Sequence, residues 1–126
     1  MKNIFIINNY ISLTISVFLV KYLCIPNNSI IFVINRITPD LKLLPFKALI
    51  FKNNHQVDLL LGNNEFNLYF PHDRCCKCLI KFLIRNQRLM NCFYIEEGNL
   101  SYNNSKYKYS ERIFLKKIYN LPFINF

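Results

Sequence analysis

Two adjacent acids, Glu96 and Glu97, are the residues of this 126-residue chain best suited to catalysis. They follow the apolar run 93–95 and precede Gly98, one of only two glycines. Successive side chains of an extended segment point to opposite faces, so we expect the two acids to have different roles. A partly desolvated carboxylate beside a second acid acquires a raised pKa, which suits a general base near neutral pH. An exposed turn with two solvated acids is the open alternative.

Cysteine is the other residue type that could carry chemistry here. The odd number of cysteines and the crowding of three of them do not fit a secreted disulfide framework. Their spacing matches no usual zinc motif, although His72 and Cys92 could complete a set of four ligands. We therefore expect free thiols in a reducing cytoplasm and no metal. The five cysteines are Cys24, Cys75, Cys76, Cys78 and Cys92.

The elements that would position the acids begin with a strand–helix–strand unit. Lys2–Ile7 and Ser29–Asn35 are apolar runs typical of buried strands, and Tyr10–Leu23 has the length and composition of a buried helix. Turn residues, Asn8-Asn9 and Pro26-Asn27-Asn28, separate them. This order predicts a right-handed crossover between parallel strands.

Further along the chain the pattern remains that of an α/β domain. Thr38-Pro39-Asp40 resembles a helix start that Pro45 interrupts, so the segment 38–52 is left unassigned. Strands are predicted at 57–61, 66–70 and 92–95, helices at 75–86 and 110–119, and a loop at 99–109.

Together these elements predict one Rossmann-like α/β domain over residues 1–126, with a parallel sheet flanked by helices. Ligands of such sheets bind beyond the carboxyl ends of the strands. Asn8 and Asn9 follow the first strand, and Glu96 and Glu97 follow the last. We therefore expect both groups at the binding edge.

The net charge of +9, from 16 basic and 7 acidic residues, is compatible with a nucleic-acid, membrane-surface or anionic-substrate partner. No nucleic-acid motif accompanies the charge, so we expect no nucleic-acid binding. The apolar run 4–20 approaches a membrane-spanning length, but Asn8-Asn9 and Lys21 interrupt it, which favours a strand and a buried helix. Basic residues recur at helical spacing at Lys77, Lys81, Arg85 and Arg88.

The stretch from Phe93 to Tyr102 resembles the acidic motif of bacterial sialyltransferases of glycosyltransferase family 52 and of the related capsule polysialyltransferases. The resemblance lies in Glu96-Glu97-Gly98 followed by Ser101-Tyr102, and Phe70-Pro71-His72-Asp73 before a basic helix is also similar. It implies the amino-terminal half of a GT-B glycosyltransferase, an enzyme of two Rossmann-like domains. Such enzymes transfer sialic acid from CMP-sialic acid to a glycan acceptor in lipooligosaccharide or capsule synthesis, without a metal or other cofactor.

The same resemblance implies roles for individual residues. Glu97 or Glu96 would be the general base, with Glu97 preferred because it adjoins Gly98. Gly98, Ser101 and Tyr102 of the motif would bind substrate, and Asn8 and Asn9, which the strand-end rule places at the binding edge, are the other substrate-binding candidates.

The family's His-Pro motif, which holds CMP in the second domain, is missing, because His55 is followed by Gln56 and His72 by Asp73. We therefore expect an acceptor-side half that is inactive alone, in the cytoplasm. Either the reading frame is truncated or decayed, or the donor-binding half is encoded separately. Peripheral attachment to the inner face of the cytoplasmic membrane and self-association also stay open. The competing function is a small basic membrane-associated protein anchored by its apolar N-terminus.

Overall fold

The computed structural model describes residues 1–71 and 76–95, which form an α/β fold of five strands and three helices. Short 3-10 turns at Asn27–Ser29 and Leu41–Leu43 precede the second and third strands. The strands are β1 (Lys2–Ile7), β2 (Ile30–Ile34), β3 (Lys47–Ile50), β4 (Phe66–Phe70) and β5 (Leu89–Tyr94), and the helices are α1 (Tyr10–Tyr22), α2 (Asn54–Leu61) and α3 (Lys77–Ile84).

The five strands form one parallel sheet in the order β3-β2-β1-β4-β5. The chain starts in the centre, moves outward through β2 to β3, and then crosses back to β4 and β5. This arrangement confirms the predicted Rossmann-like α/β fold and the parallel pairing of β1 with β2. The reversal of direction places the topological switch point between β1 and β4, where open α/β sheets bind their ligands.

Separate apolar cores lie on the two faces of the sheet. α2 and α3 cover one face, where Val57 and Leu83 pack with strand residues such as Ile4. α1 and the segment 37–46 cover the other face, where Val20 packs with Phe5. We call this second side the α1 face of the sheet. Helices on opposite faces are what right-handed crossovers require, because β1 leads to β2 in one direction and β4 leads to β5 in the other.

A row of aromatic rings crosses the α1 face at right angles to the strands. Phe5 lies opposite Phe32 on one side and opposite Tyr69 on the other, and Tyr69 lies opposite Phe93. The ring centroids along this row are 5.2, 4.2 and 4.9 Å apart. Aromatic pairs of this kind add stability beyond their burial, and a one-residue slip of any strand would break the row. The row therefore helps to fix the register that aligns the carboxyl ends of β2, β1, β4 and β5.

The prediction of a strand at 57–61 is wrong, because this segment is the second half of α2. The side chain of Asn53 accepts a hydrogen bond from the Gln56 amide at 3.0 Å. The Gln56 side chain accepts one from the Lys52 amide at 3.1 Å, which closes the start of the helix. In helical form Val57 and Leu61 lie one turn apart, so that both enter the core.

The unassigned segment 38–52 contains an edge strand. Asp40 begins a helical turn as its residue type suggests, but the turn ends after Leu43. The chain passes Pro45 and then forms β3 by pairing with β2.

The other predicted elements differ from the structure only at their ends. β1 and β4 have the predicted bounds, whereas α3 begins at Lys77 and β5 already begins at Leu89. The predicted loop at 99–109 and helix at 110–119 lie outside the described residues. The apolar run 4–20 is divided between β1 and α1, as expected. Within residues 1–71 and 76–95, no helix has both the length and the apolarity needed to cross a membrane.

Candidate functional site at the carboxyl edge of the sheet

The turn between β1 and α1 lies at the switch point, and a capping box shapes it. The Asn9 side chain accepts a hydrogen bond from the Ser12 amide at 2.8 Å, and the Ser12 hydroxyl accepts one from the Asn9 amide at 3.1 Å. The first intrahelical bond of this end runs from the Leu13 amide to the Asn9 carbonyl. The amides of Tyr10 and Ile11 precede it, so this helix end presents donors and a positive partial charge at the carboxyl edge.

Asn8, the residue after β1, holds a buried amide oxygen for which the described residues supply no donor. The residue is only 7% exposed, and its backbone amide donates to the Ser12 hydroxyl at 3.1 Å. Within the described part of the chain, its Oδ1 has no hydrogen-bond partner. A buried acceptor in this state costs about 1–3 kcal/mol. The position before a helix N-cap usually favours an apolar residue that packs on the fourth helical residue, here Leu13. An amide at this position is therefore poor for stability but well suited to receiving a hydroxyl or N–H group of a ligand.

Arg36 is a residue of this edge that the sequence analysis missed. It follows β2, next to Asn35, whose amide donates to the Ile7 carbonyl at 2.7 Å. Arg36 is exposed and has φ of 69°, a left-handed conformation that costs a residue other than glycine about 1 kcal/mol or more. The rule that ligands bind beyond strand ends would have pointed to it, whereas its backbone conformation could not be foreseen. Arg36 therefore adds a positive charge to the carboxyl edge of the sheet, where Asn8 also lies.

Cys76, before α3, is the second left-handed residue of the carboxyl edge, with φ of 50°. Burial raises the pKa of its thiol to about 11. A hydrogen bond from the Leu79 backbone and the charge of Arg36 lower the pKa by smaller amounts, while Cys78 raises it slightly. The thiol is thus protonated at neutral pH, so Cys76 is a poor nucleophile and a poor metal ligand here.

The predicted catalytic acids, Glu96 and Glu97, lie outside the described residues. The structure does describe the residue before them: Ile95 is buried, and its amide donates to the Phe70 carbonyl at 2.9 Å. The chain is therefore at the carboxyl edge, beside the end of β4, when it enters the acidic motif. The predicted substrate-binding residues Gly98, Ser101 and Tyr102 also lie outside the described residues, as does the segment 72–75, which includes His72.

The cysteines that the structure describes are not gathered into a metal site. Over residues 1–71 and 76–95, no group of three or more His, Cys, Asp or Glu side chains could hold a metal ion. Cys24 and Cys78 are exposed, whereas Cys92 is buried in the core beneath α2 and α3. Burial raises the pKa of Cys92 to about 12, which disfavours the thiolate that zinc requires.

The basic row predicted on the third helix is interrupted after Arg85. α3 ends at Ile84, so Arg88 lies beyond the helix, just before β5. There its guanidinium forms an ion pair with Asp58 at 2.7 Å and also donates to the Gly62 carbonyl, which links the end of α2 to β5. Arg88 therefore has a structural partner, whereas Lys77, Lys81 and Arg85 are exposed cations of this surface.

Taken together, the fold and this edge define a Rossmann-like α/β protein with a candidate ligand site at its switch point. Comparisons with protein-family models, with curated proteins and with solved structures find no match to this chain.

Proposed function

We propose that this chain is the acceptor-side domain of a sialyltransferase-like glycosyltransferase, and that it binds a glycan at the carboxyl edge. The observation that carries the proposal is the Asn8 Oδ1 atom at the switch point, a buried acceptor that finds no donor among residues 1–71 and 76–95. Sugar hydroxyls are hydrogen-bond donors of the kind this atom lacks. The resemblance of the segment 93–102 to the acidic motif of family 52 sialyltransferases supports the choice of a glycan over other hydroxyl compounds.

In the proposed reaction, Glu97 removes the proton from the acceptor hydroxyl. The oxygen attacks the anomeric carbon of CMP-sialic acid, the bond to the phosphate breaks, and CMP leaves with inversion. Glu96 is the alternative base. The positive end of α1 and the Arg36 guanidinium favour an acceptor that carries a carboxylate or phosphate near the reacting hydroxyl.

Glycan binding tests the proposal first, because it needs no donor. Saturation-transfer NMR would be recorded on the chain with galactose-terminated and sialic-acid-terminated oligosaccharides at millimolar concentration, and with dextran as the control sugar. We expect saturation to pass from the protein to an acidic or galactose-terminated glycan and not to dextran. Asn8→Leu should abolish the signal, whereas Ser16→Ala, a change in the middle of α1 and away from the edge, should preserve it. The absence of transfer to every glycan would refute the proposal.

A second experiment tests the general base. A GT-B enzyme also needs a donor-binding domain, so the chain would be co-expressed with the donor-binding half of a family 52 sialyltransferase and assayed for CMP release. We expect Glu97→Gln to lower the rate by about 100-fold or more, because a positioned base contributes that much. Full activity of a variant that carries both Glu96→Gln and Glu97→Gln would remove the motif from catalysis.

The acceptors of this enzyme class in lipooligosaccharide synthesis are attached to lipid, so we place the proposed function at the inner face of the cytoplasmic membrane. The competing function, a small basic membrane-associated protein, predicts binding to lipid vesicles without any glycan binding. The NMR experiment therefore separates the two functions.

A further inference from the structure

α1 is oriented unusually, because two of the three residues it buries most deeply against the sheet are small and polar, while several of its large apolar residues face outward. Ser12 and Ser16 are fully buried against the sheet together with Val20. On the opposite side, Phe18 is 64% exposed and Tyr22 is 73% exposed, and their rings stack with centroids 6.0 Å apart. At 100° per residue, the exposed residues of α1 occupy one continuous arc. We call this arc the outer α1 face; it consists of Tyr10, Ile11, Thr14, Phe18, Lys21 and Tyr22.

The outer α1 face is not the solvent-facing side of an ordinary surface helix. Such helices place polar residues outward, whereas a helix that is apolar on all sides is covered by something. Four of the six residues of the outer α1 face are large and apolar or aromatic. α2 offers a contrast within the same fold, since Leu59 is its single exposed large apolar residue. Isolated residues of that kind need no explanation, but a contiguous patch marks an interaction surface.

The charge and the side-chain chemistry of α1 fit the surface of an anionic membrane. α1 contains no acidic residue, and Lys21 is its only charged residue. The chain as a whole carries +9, which attracts it to anionic lipid and opposes the approach of a second copy. The hydroxyls of Tyr10 and Tyr22 and the amine of Lys21 cap apolar bodies with polar tips, as residues at the lipid–water interface do. A helix of 13 residues, about 20 Å long, can lie along this interface but cannot span the bilayer.

We propose that the outer α1 face docks on an anionic membrane surface, with Phe18 and Tyr22 entering the headgroup layer. This docking is peripheral and uses the folded domain. It differs from attachment through the basic residues of α3, because it places apolar side chains in contact with lipid. It does not depend on the glycosyltransferase proposal.

The chain contains no tryptophan, so one introduced tryptophan reports on a chosen site. Phe18→Trp places the reporter on the outer α1 face, and Leu59→Trp places it at a similarly exposed position on α2, which covers the other face of the sheet. Both proteins would be titrated with vesicles of phosphatidylcholine alone and of phosphatidylcholine with phosphatidylglycerol. We expect a blue shift for Phe18→Trp on the anionic vesicles, weakened by high salt, and no shift for Leu59→Trp.

Vesicle sedimentation with serine variants tests the same surface without a reporter. The affinity of the double variant Phe18→Ser, Tyr22→Ser for anionic vesicles should fall by at least about ten-fold. Leu59→Ser should bind with the affinity of the unchanged chain. All three residues are exposed, and circular dichroism would confirm that each variant folds.

Four results would overturn the proposal. The first is equal vesicle binding of the double variant and the unchanged chain. The second is an equal blue shift of both tryptophans, which would show that contact with lipid is not specific to α1. A blue shift of Phe18→Trp without lipid that grows with protein concentration would assign the surface to a second copy. A blue shift of Phe18→Trp that is present without lipid and does not depend on protein concentration would show that another segment of this chain covers the outer α1 face.

Discussion

Replacing Asn8 by leucine should make the protein more stable and abolish the proposed glycan binding. Leucine branches at the same carbon as asparagine, so the variant keeps the shape of the side chain and removes its polar atoms. The Oδ1 atom of Asn8 is buried and has no donor among the residues that the structure describes, so its loss removes a penalty. In the complex the same atom accepts the hydrogen bond that the proposal assigns to a sugar hydroxyl, so its loss removes a contact.

The magnitude follows from the local geometry. An unpaired buried acceptor costs about 1–3 kcal/mol, and an apolar group of the same shape avoids that cost. A leucine at this position can also pack on Leu13, the fourth residue of α1, as in a hydrophobic staple. Because Asn8 is 7% exposed, we take the lower part of the range and expect a gain of about 1–2 kcal/mol. For a domain of this size, the melting temperature should rise by about 5 °C or more.

Ser16→Ala is the matched control. The Ser16 hydroxyl is fully buried and has no hydrogen-bond partner among the described residues, as at Asn8, but Ser16 lies in the middle of α1. Its removal should stabilise the protein by about 1 kcal/mol, helped by the higher helix propensity of alanine. Glycan binding should not change. The pair therefore separates relief of a buried polar group from loss of a ligand contact.

The assays are urea and thermal unfolding, together with saturation-transfer NMR of the glycan. If Asn8→Leu lowers the free energy of unfolding while Ser16→Ala raises it, the Asn8 oxygen is satisfied in the free protein and the inference of an open acceptor is wrong. If Asn8→Leu is stabilising but binds glycan as the unchanged chain does, Asn8 is not part of the binding site.

Three further predictions concern the helix cap at the site and the framework of the fold. Asn9→Ala should lower the free energy of unfolding by about 1 kcal/mol in urea titrations, because it removes the acceptor of the Ser12 amide; no change would show that the cap is not formed. Gly62→Ala should cost about 1–2 kcal/mol in the same titrations, since Gly62 has φ of 56°. Among the described residues, an added Cβ would meet its nearest atom, on the Asn64 side chain, at 3.9 Å, which leaves backbone strain as the cause. Burial raises the pKa of Cys92 from 9.0 to about 12, so the folded protein holds a proton that the unfolded chain releases. Stability should therefore fall between pH 9 and 12, and Cys92→Val should flatten this dependence in unfolding curves; an unchanged slope would exclude Cys92 as its source.

The central strands could be predicted from the sequence because their signal is local. β1 and β4 are short apolar runs that end at Asn8 and Pro71, and both are buried on the two faces of the sheet. In a small α/β domain, short apolar runs of this kind form central strands of the parallel sheet. α1 is equally local, since its capping residues lie beside an apolar segment of helical length.

The errors occur where the tertiary structure decides the conformation. The run Val57–Leu61 fits a strand or a buried helix by its composition, and the capping residues Asn53 and Gln56 decide for the helix. That signal was present in the sequence as Asn-x-x-Gln. β3 left a weaker signal, because it has only four residues behind Pro45 and exists through its pairing with β2.

Half of the described candidate site could be predicted in the same way. The rule about carboxyl ends selected Asn8 and Asn9, because it needs only the strand order. The burial of the Asn8 oxygen away from any donor of the described residues, and the left-handed backbone of Arg36, depend on how β1, β2 and α1 pack together. No single-residue propensity encodes such features, so they appear only in the folded chain.

α1 connects the two proposals made for this protein. The N-terminal end of the helix borders the candidate site at Asn8, and its outer face carries Phe18 and Tyr22. A helix lying in the headgroup layer would hold the site about one helix diameter, roughly 10 Å, from the lipid. A glycan attached to a lipid could reach Asn8 at that distance while α1 stays docked. Two contacts with one bilayer strengthen each other through effective concentration. Vesicles that contain both anionic lipid and glycolipid should therefore bind the chain more tightly than the sum of the two separate affinities, and simple addition would show that the two surfaces do not face the same membrane.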